Sequence, residues 1–267
     1  MTLTLPPLLL VGCGKMGGAM LAGWLEQGLS DCVVVDPHPA AGFDGRVTLV
    51  PDAASIPAGF APGAVVLAIK PQEAPATLPA YARFAQGAVF ISIMAGRSIA
   101  AMDAALGGAA RVVRAMPNTP AAIRQGFTVG CPGPRATAAD RALADALLSA
   151  IGEVAWVEDE ALIDPVTAVS GGGPAYVFLL AEVMEAAAVA QGIPQDLARR
   201  MARATVAGSG ALLGASTEDA AALRRAVTSP KGTTERALAV LMASDAWPAL
   251  MDQAIAAATA RSRELAG

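Results

Sequence analysis

Leu8-Leu-Leu-Val-Gly-Cys-Gly-Lys-Met-Gly-Gly-Ala-Met20 decides the fold of this chain. A short apolar run enters a glycine cluster, and a pattern of helical period leaves it. The stretch therefore reads as strand, tight turn and helix. Gly12, Gly14 and Gly17 form G-x-G-x-x-G. Gly12 permits the turn, Gly14 has no side chain to keep a pyrophosphate off the backbone, and Gly17 lets the helix pack closely on the strand. Lys15 and Met16 stand at the helix start, whose unbonded N–H groups suit phosphate oxygens. Asp36 follows Gly17 by about 20 positions, the distance expected of the residue that holds the ribose hydroxyls. A carboxylate there accepts from those hydroxyls and repels a 2′-phosphate, so NADH is expected to be favoured over NADPH. The alternative is a glycine-rich turn in some other α/β protein.

Leu10-Val11-Gly12-Cys13 also has the form of a lipoprotein cleavage site. An export signal needs a basic start before its apolar stretch. Here no Lys or Arg precedes Lys15, and Pro6-Pro7 interrupts a short run, so export is not expected.

The 267 residues are 54% apolar and 16% charged, enough for a large core. Mean hydropathy is +0.50. No uncharged apolar run reaches the roughly 18 residues of a spanning helix, and Tyr176 to Ala190 carries Glu182 and Glu185. The excess apolarity reads as alanine-rich helices with a subunit interface, not as a membrane segment. A net charge of −4 without a basic block argues against nucleic acid as a partner. Cys13, Cys32 and Cys131 are widely spaced, with no zinc pattern and no disulfide framework. No metal is therefore expected, and a reduced cytoplasmic setting fits. His38 is the sole histidine and sits in a turn, which excludes most triad and metal chemistries.

Along the chain, Met16–Gln27 has helical spacing and Cys32–Val35 is an all-apolar strand ended by Asp36-Pro37-His38-Pro39. Further strands are expected at 46–50, 64–69, 88–93, 111–115, 127–130 and 154–157, with helices at 99–106 and 138–151. Alternating strands and helices predict a doubly wound parallel sheet of the Rossmann-like α/β class. Ligands of such sheets bind beyond the carboxyl ends of the strands. Ala68, Lys70-Pro71, Ala95-Gly96 and Pro117-Asn118 stand at those ends and are expected to line one crevice with the glycine turn. Helical patterns take over from about residue 161, at 174–191, 194–213, 219–226, 237–242 and 247–263. The expected domains are 1–160, dinucleotide-binding, and 161–267, helical.

Two stretches of the second half are not ordinary helix. Ser170-Gly-Gly-Gly-Pro-Ala-Tyr176 reads as a close-approach turn, or equally as a packing elbow. Val227-Thr-Ser-Pro-Lys-Gly-Thr-Thr234 is a hydroxyl-rich loop entering a helix. Its N–H groups and hydroxyls suit a carboxylate, and N-capping explains only one of its hydroxyls.

With Gly12-Cys-Gly-Lys-Met-Gly, Ala68-Ile-Lys-Pro-Gln and Met116-Pro-Asn-Thr-Pro-Ala, these stretches resemble the pyrroline-5-carboxylate reductase family in order and spacing, over nearly the whole chain. The resemblance implies a Rossmann domain followed by an all-α dimerisation domain, hence a homodimer or a higher oligomer. It implies NAD(P)H-dependent reduction of 1-pyrroline-5-carboxylate to L-proline, the last step of proline biosynthesis. The substrate carboxylate is expected on the N–H groups of Ser229, Gly232 and Thr233. By resemblance, Thr234 hydrogen-bonds the ring nitrogen and is the candidate catalytic residue; Glu182 lies where the family often has an acid. Lys15, Arg97, Gly172 and Lys231 depart from the family pattern. A β-hydroxyacid dehydrogenase or another imine reductase is the nearest alternative, though residues 176–191 contain no lysine of the kind the former needs. A non-catalytic NAD-binding regulator is the second.

Overall fold

The computed structural model describes residues 5–38 and 45–266; Pro39, at the end of the expected turn after Asp36, lies outside them. Eight strands form one sheet: β1 (Leu8–Val11), β2 (Cys32–Val35), β3 (Val47–Val50), β4 (Ala64–Leu67), β5 (Val89–Ser92), β6 (Arg111–Met116), β7 (Gly126–Pro132) and β8 (Gly152–Trp156). Their spatial order is β3-β2-β1-β4-β5-β6-β7-β8. The helices are α1 (Lys15–Glu26), α2 (Ala74–Thr77), α3 (Ile99–Ala105), α4 (Ala138–Leu148), α5 (Ile163–Val166), α6 (Gly173–Ala190), α7 (Gln195–Ala215), α8 (Ala220–Ala226), α9 (Thr233–Leu241) and α10 (Trp247–Ala266).

Strands β1, β2, β4 and β5 are buried along their whole lengths. Their nearly continuous apolar runs, rich in Val, fit a sheet covered on both faces. Alternate residues feed two cores, with Leu9 and Val11 on one side of β1 and Leu8 and Leu10 on the other. Trp24 of α1 is fully buried in the second core, and its indole N–H donates to the Leu147 carbonyl at 2.8 Å.

The register pairs Val11 with Val35 on one side and with Leu67 on the other, so β1, β2 and β4 end level. Chain order reverses about β1, which makes its carboxyl end the switch point where α/β sheets hold ligands.

The sheet is not wholly parallel, as the alternating pattern had suggested. β7 runs antiparallel to β6, and β8 is parallel to β7. Residues 117–125 are too few for a crossover, which takes a dozen residues or more, so β7 turns straight back.

The chain divides into two compact units, residues 1–171 with 258–267, and residues 172–257. In the first, the end of α10 is bound through a buried polar network. Arg114 on β6 is 3% exposed; its guanidinium donates to Glu160 at 2.8 Å and pairs with Asp164 at 3.8 Å. Ser262 of α10 donates to Asp164 at 2.7 Å, and Glu160 also accepts the Ile99 N–H that starts α3. In the second unit α6 packs on α7, and Arg199 pairs with Glu185 at 3.1 Å. That unit exposes much apolar surface, including Phe178, Leu212 and Val240. The helical run Glu160–Ala190 is long and apolar enough, by length and composition, to cross a membrane.

Arg114→Met would leave Glu160 and Asp164 without their cation, at about 3 kcal/mol. The melting temperature followed by circular dichroism is expected to fall by roughly 6–10 °C for a chain of this size; an unchanged value would show that the network is not stabilising.

Candidate active site

The glycine turn is built as its spacing demands. Gly12 has φ +90°, and a Cβ there would lie 2.7 Å from the Ala68 carbonyl oxygen. Gly17 is buried, and a Cβ on it would collide with the Gly12 carbonyl. Gly14 differs: nothing lies within 4 Å of where its Cβ would be. The space over its Cα is open, and no side chain caps α1. These residues fit a dinucleotide, with an unobstructed backbone facing a bare helix start.

Asp36 is coupled to this turn. Its carboxylate accepts the Cys13 N–H at 2.6 Å and the His38 N–H at 2.8 Å. One side chain therefore ties the end of β2 to the turn after β1, and each oxygen keeps lone-pair capacity for another donor. Burial, and then the Asp36 charge, pushes the Cys13 thiol up. Burial dominates at the other two cysteines, raising Cys32 to about 12 and Cys131 to about 11. All three are thiols near neutral pH, unsuited to nucleophilic chemistry.

A cavity of about 370 Å³ opens at the carboxyl ends of β4, β5 and β6. Of the residues expected to form one crevice, it gathers Met16, Ala68, Lys70, Pro71, Pro117 and Asn118. Gly12, Gly14, Lys15, Gly17 and Asp36 form the turn beside Met16, outside the lining. Ala95 and Gly96 are not in the lining either. Gly96 has φ +64°, which favours glycine, and a Cβ there would also be crowded at 3.0 Å by Leu265 of α10. Arg97 ties the two neighbouring loops together, its Nε donating to the Pro71 carbonyl at 2.9 Å.

Asn118 also holds the cavity wall. Its Oδ1 accepts the Phe127 N–H at 2.9 Å, and its Nδ2 donates to the Ser170 hydroxyl at 3.2 Å. Ser170 lies in a π-turn, Thr167–Gly171, which brings Gly171 into the lining against Met116. Within the glycine run the close approach is at Gly171; nothing lies within 4 Å of where a Cβ on Gly173 would be. Ile69, Ile93, Met116, Thr119 and Gly171 also line the cavity without having been expected as site residues; for Met116, at the end of β6, and Gly171, inside the glycine run, position was the available signal. A second cavity, of about 390 Å³, lies by the start of β6 and the end of β7, beside the Arg135–Asp103 ion pair, and no expected site residue lines it.

In the helical unit, α9 begins at Thr233, earlier than the expected helix at 237, so the hydroxyl-rich loop leads directly into its first turn. Gly232 is the N-cap, and Thr233 and Thr234 are the first two helical residues. No side chain caps this helix. Thr228 instead donates to the Arg224 carbonyl at 2.6 Å and closes α8. The Gly232 N–H donates to the Ser229 carbonyl at 3.0 Å. Ser229, Thr233 and Thr234 are exposed, as is Glu182 on α6.

A doubly wound sheet with an open glycine turn at its switch point defines a Rossmann-like nucleotide-binding protein. The family model described as pyrroline-5-carboxylate reductase dimerisation matches residues 160–265. The model described as NADP oxidoreductase, coenzyme F420-dependent, matches residues 8–96. The chain is 38% identical over 266 residues to pyrroline-5-carboxylate reductase of Pseudomonas aeruginosa, covering 98% of this chain and 97% of that one. It superposes on the structure of that enzyme from Coxiella burnetii with a TM-score of 0.88 at 28% identity, over 98% and 99% of the two chains. The Plasmodium falciparum pyrroline carboxylate reductase crystallised with NADP has the same fold, with a TM-score of 0.83 at 23% identity over 99% of each chain. The chain belongs to the pyrroline-5-carboxylate reductase family.

Gly17→Ala forces α1 away from the Gly12 carbonyl and so displaces the helix start from the turn. It is expected to weaken dinucleotide binding at least tenfold, about 1.4 kcal/mol, in an equilibrium fluorescence titration. Wild-type affinity in a folded variant would remove the packing role assigned to Gly17.

Proposed function

We propose that this chain reduces 1-pyrroline-5-carboxylate to L-proline with NAD(P)H, as the last step of proline biosynthesis. The full-length similarity to pyrroline-5-carboxylate reductase carries the reading, because it spans both compact units. The cofactor supplies, when bound, the hydride that the C=N carbon of the cyclic imine accepts. The ring nitrogen takes the electron pair of the broken π bond. A protonated imine thus becomes a secondary amine with no further proton required, which suits a chain with a single histidine in an exposed turn.

The chain's own residues bind and orient. Gly12, Gly14 and Gly17 shape the turn, and the backbone at Gly14, Lys15 and Met16 receives the pyrophosphate at the start of α1. Ala68, Lys70, Pro71, Ala95, Gly96 and Asn118 hold the cofactor along the strand ends. Asp36 accepts from the ribose hydroxyls and disfavours a 2′-phosphate, so NADH is preferred. The description of the model matching residues 8–96 names NADP instead, and the specificity constants for the two cofactors decide between them. Ser229, Gly232 and Thr233 take the substrate carboxylate, the Gly232 N–H being shared with the Ser229 carbonyl. Thr234 holds the ring nitrogen by its hydroxyl. The dinucleotide-binding domain is assigned to residues 1–160 and the substrate-binding, dimerisation domain to 161–267. The exposed apolar surface of α6 and α7 supports a homodimer. Three buried, unpaired thiols suit the cytoplasm.

The test is NADH oxidation with racemic 1-pyrroline-5-carboxylate, run beside 3-hydroxyisobutyrate oxidation by NAD; no imine-dependent turnover at neutral pH refutes the reading. Thr234→Ala should lower kcat/KM for the imine at least tenfold, about 1.4 kcal/mol, and unchanged kinetics would cancel its role. Specificity constants for NADH and NADPH should favour NADH in the wild type and move toward NADPH in Asp36→Ser. A wild-type preference for NADPH would overturn the Asp36 argument.

A further inference from the structure

Lys231 stands at φ +59°, in the left-handed region that glycine enters freely and that crowds the Cβ of other residues. Arg124 is the other non-glycine residue with positive φ among those described. A left-handed lysine needs support from its surroundings. Glu235 provides it. It is the third residue of α9, and its Oε2 accepts the Lys231 N–H at 2.8 Å. The Gly232 N–H to Ser229 carbonyl bond, at 3.0 Å, closes the same turn from the other side.

We propose that Glu235 is a positioning residue for the loop 229–234. By accepting the Lys231 N–H it holds the left-handed turn, and so fixes how the Thr233 N–H and the Thr234 hydroxyl are presented. The inference rests on the reading of that loop as the substrate-binding element. Two effects of Glu235 oppose each other there. Its hydrogen bond orders the loop, and a carboxylate at a helix N-terminus is favourable. Its negative charge also repels an arriving substrate carboxylate. An amide side chain separates the two effects, because glutamine keeps the acceptor oxygen and drops the charge.

The experiment is a kinetic cycle on the full chain with Glu235→Ala, Glu235→Gln, Lys231→Gly and the Lys231→Gly/Glu235→Ala pair. Glu235→Ala should raise KM for the imine at least fivefold while KM for NADH stays within twofold. Glu235→Gln should bind the imine as well as the wild type or better. In the Lys231→Gly background, adding Glu235→Ala should change the imine KM by less than twofold, since glycine holds the turn unaided. Amide hydrogen exchange at residues 231 and 232 should be accelerated at least tenfold by Glu235→Ala and not by Glu235→Gln. An unchanged imine KM in Glu235→Ala, an equal rise in both Michaelis constants, or a Glu235→Ala defect that persists in the Lys231→Gly background would each overturn the proposal. Should the wild type show no imine turnover, the proposed function falls, and the exchange rates alone decide whether Glu235 holds the loop.

Discussion

The contact between Gly17 and the carbonyl of Gly12 is the constraint on which the crevice depends. It brings α1 onto the end of β1 with nothing between them, and any Cβ at Gly17 would collide there. Ala68, from the end of β4, completes the packing on the other side of the turn. Because β1, β2 and β4 end level, the turn, Asp36 and Ala68 arrive at one place. Asp36 then secures the arrangement through the Cys13 N–H. A carboxylate assigned to cofactor choice is thus also a structural strut, and the backbone bonds that orient it leave it lone pairs for a ribose.

The second half of the molecule poses the opposite physical problem. Its helices bury little within a single chain, and large apolar side chains such as Phe178 and Val240 face outward. Apolar surface on that scale is stable only against another apolar surface. A second copy of the chain supplies it in the proposed assembly, which also explains an apolar helical run in a chain whose family model concerns dimerisation. The return of α10 to the first unit, bound through Ser262 to the buried Asp164, keeps the end of that helix in the sheet-bearing half.

Much of the fold was legible because its signals are local. Short runs made almost wholly of apolar residues can be buried on both faces, so β1, β2, β4 and β5 announced themselves. Glycines at fixed offsets announced the turn. The antiparallel return of β7 was not legible, because it depends on where a short link can reach and not on any residue within it. Asn118 was legible as a strand-end residue, but its bonds to Phe127 and Ser170 join segments far apart in sequence, and no spacing rule reports such bonds. The start of α9 at Thr233 is hidden in the sequence because Pro230, Gly232 and two threonines look like loop. Glycine at the N-cap leaves those threonines inside the first helical turn.

The sequence by itself determined the class of the first half, the position of the glycine turn, its acidic partner and the hydroxyl-rich loop. Each rests on backbone sterics or period, which act over a few residues. Only the tertiary structure decided that Gly12 is packed against the Ala68 carbonyl as well as shaping the turn, and that Gly171 reaches a cavity lined by Met16 and Asn118. It alone placed Lys231 in a left-handed turn held by Glu235. Those outcomes depend on which surfaces meet when the sheet closes and on the dihedral angles that closure imposes, and neither is written in the spacing of residues along the chain.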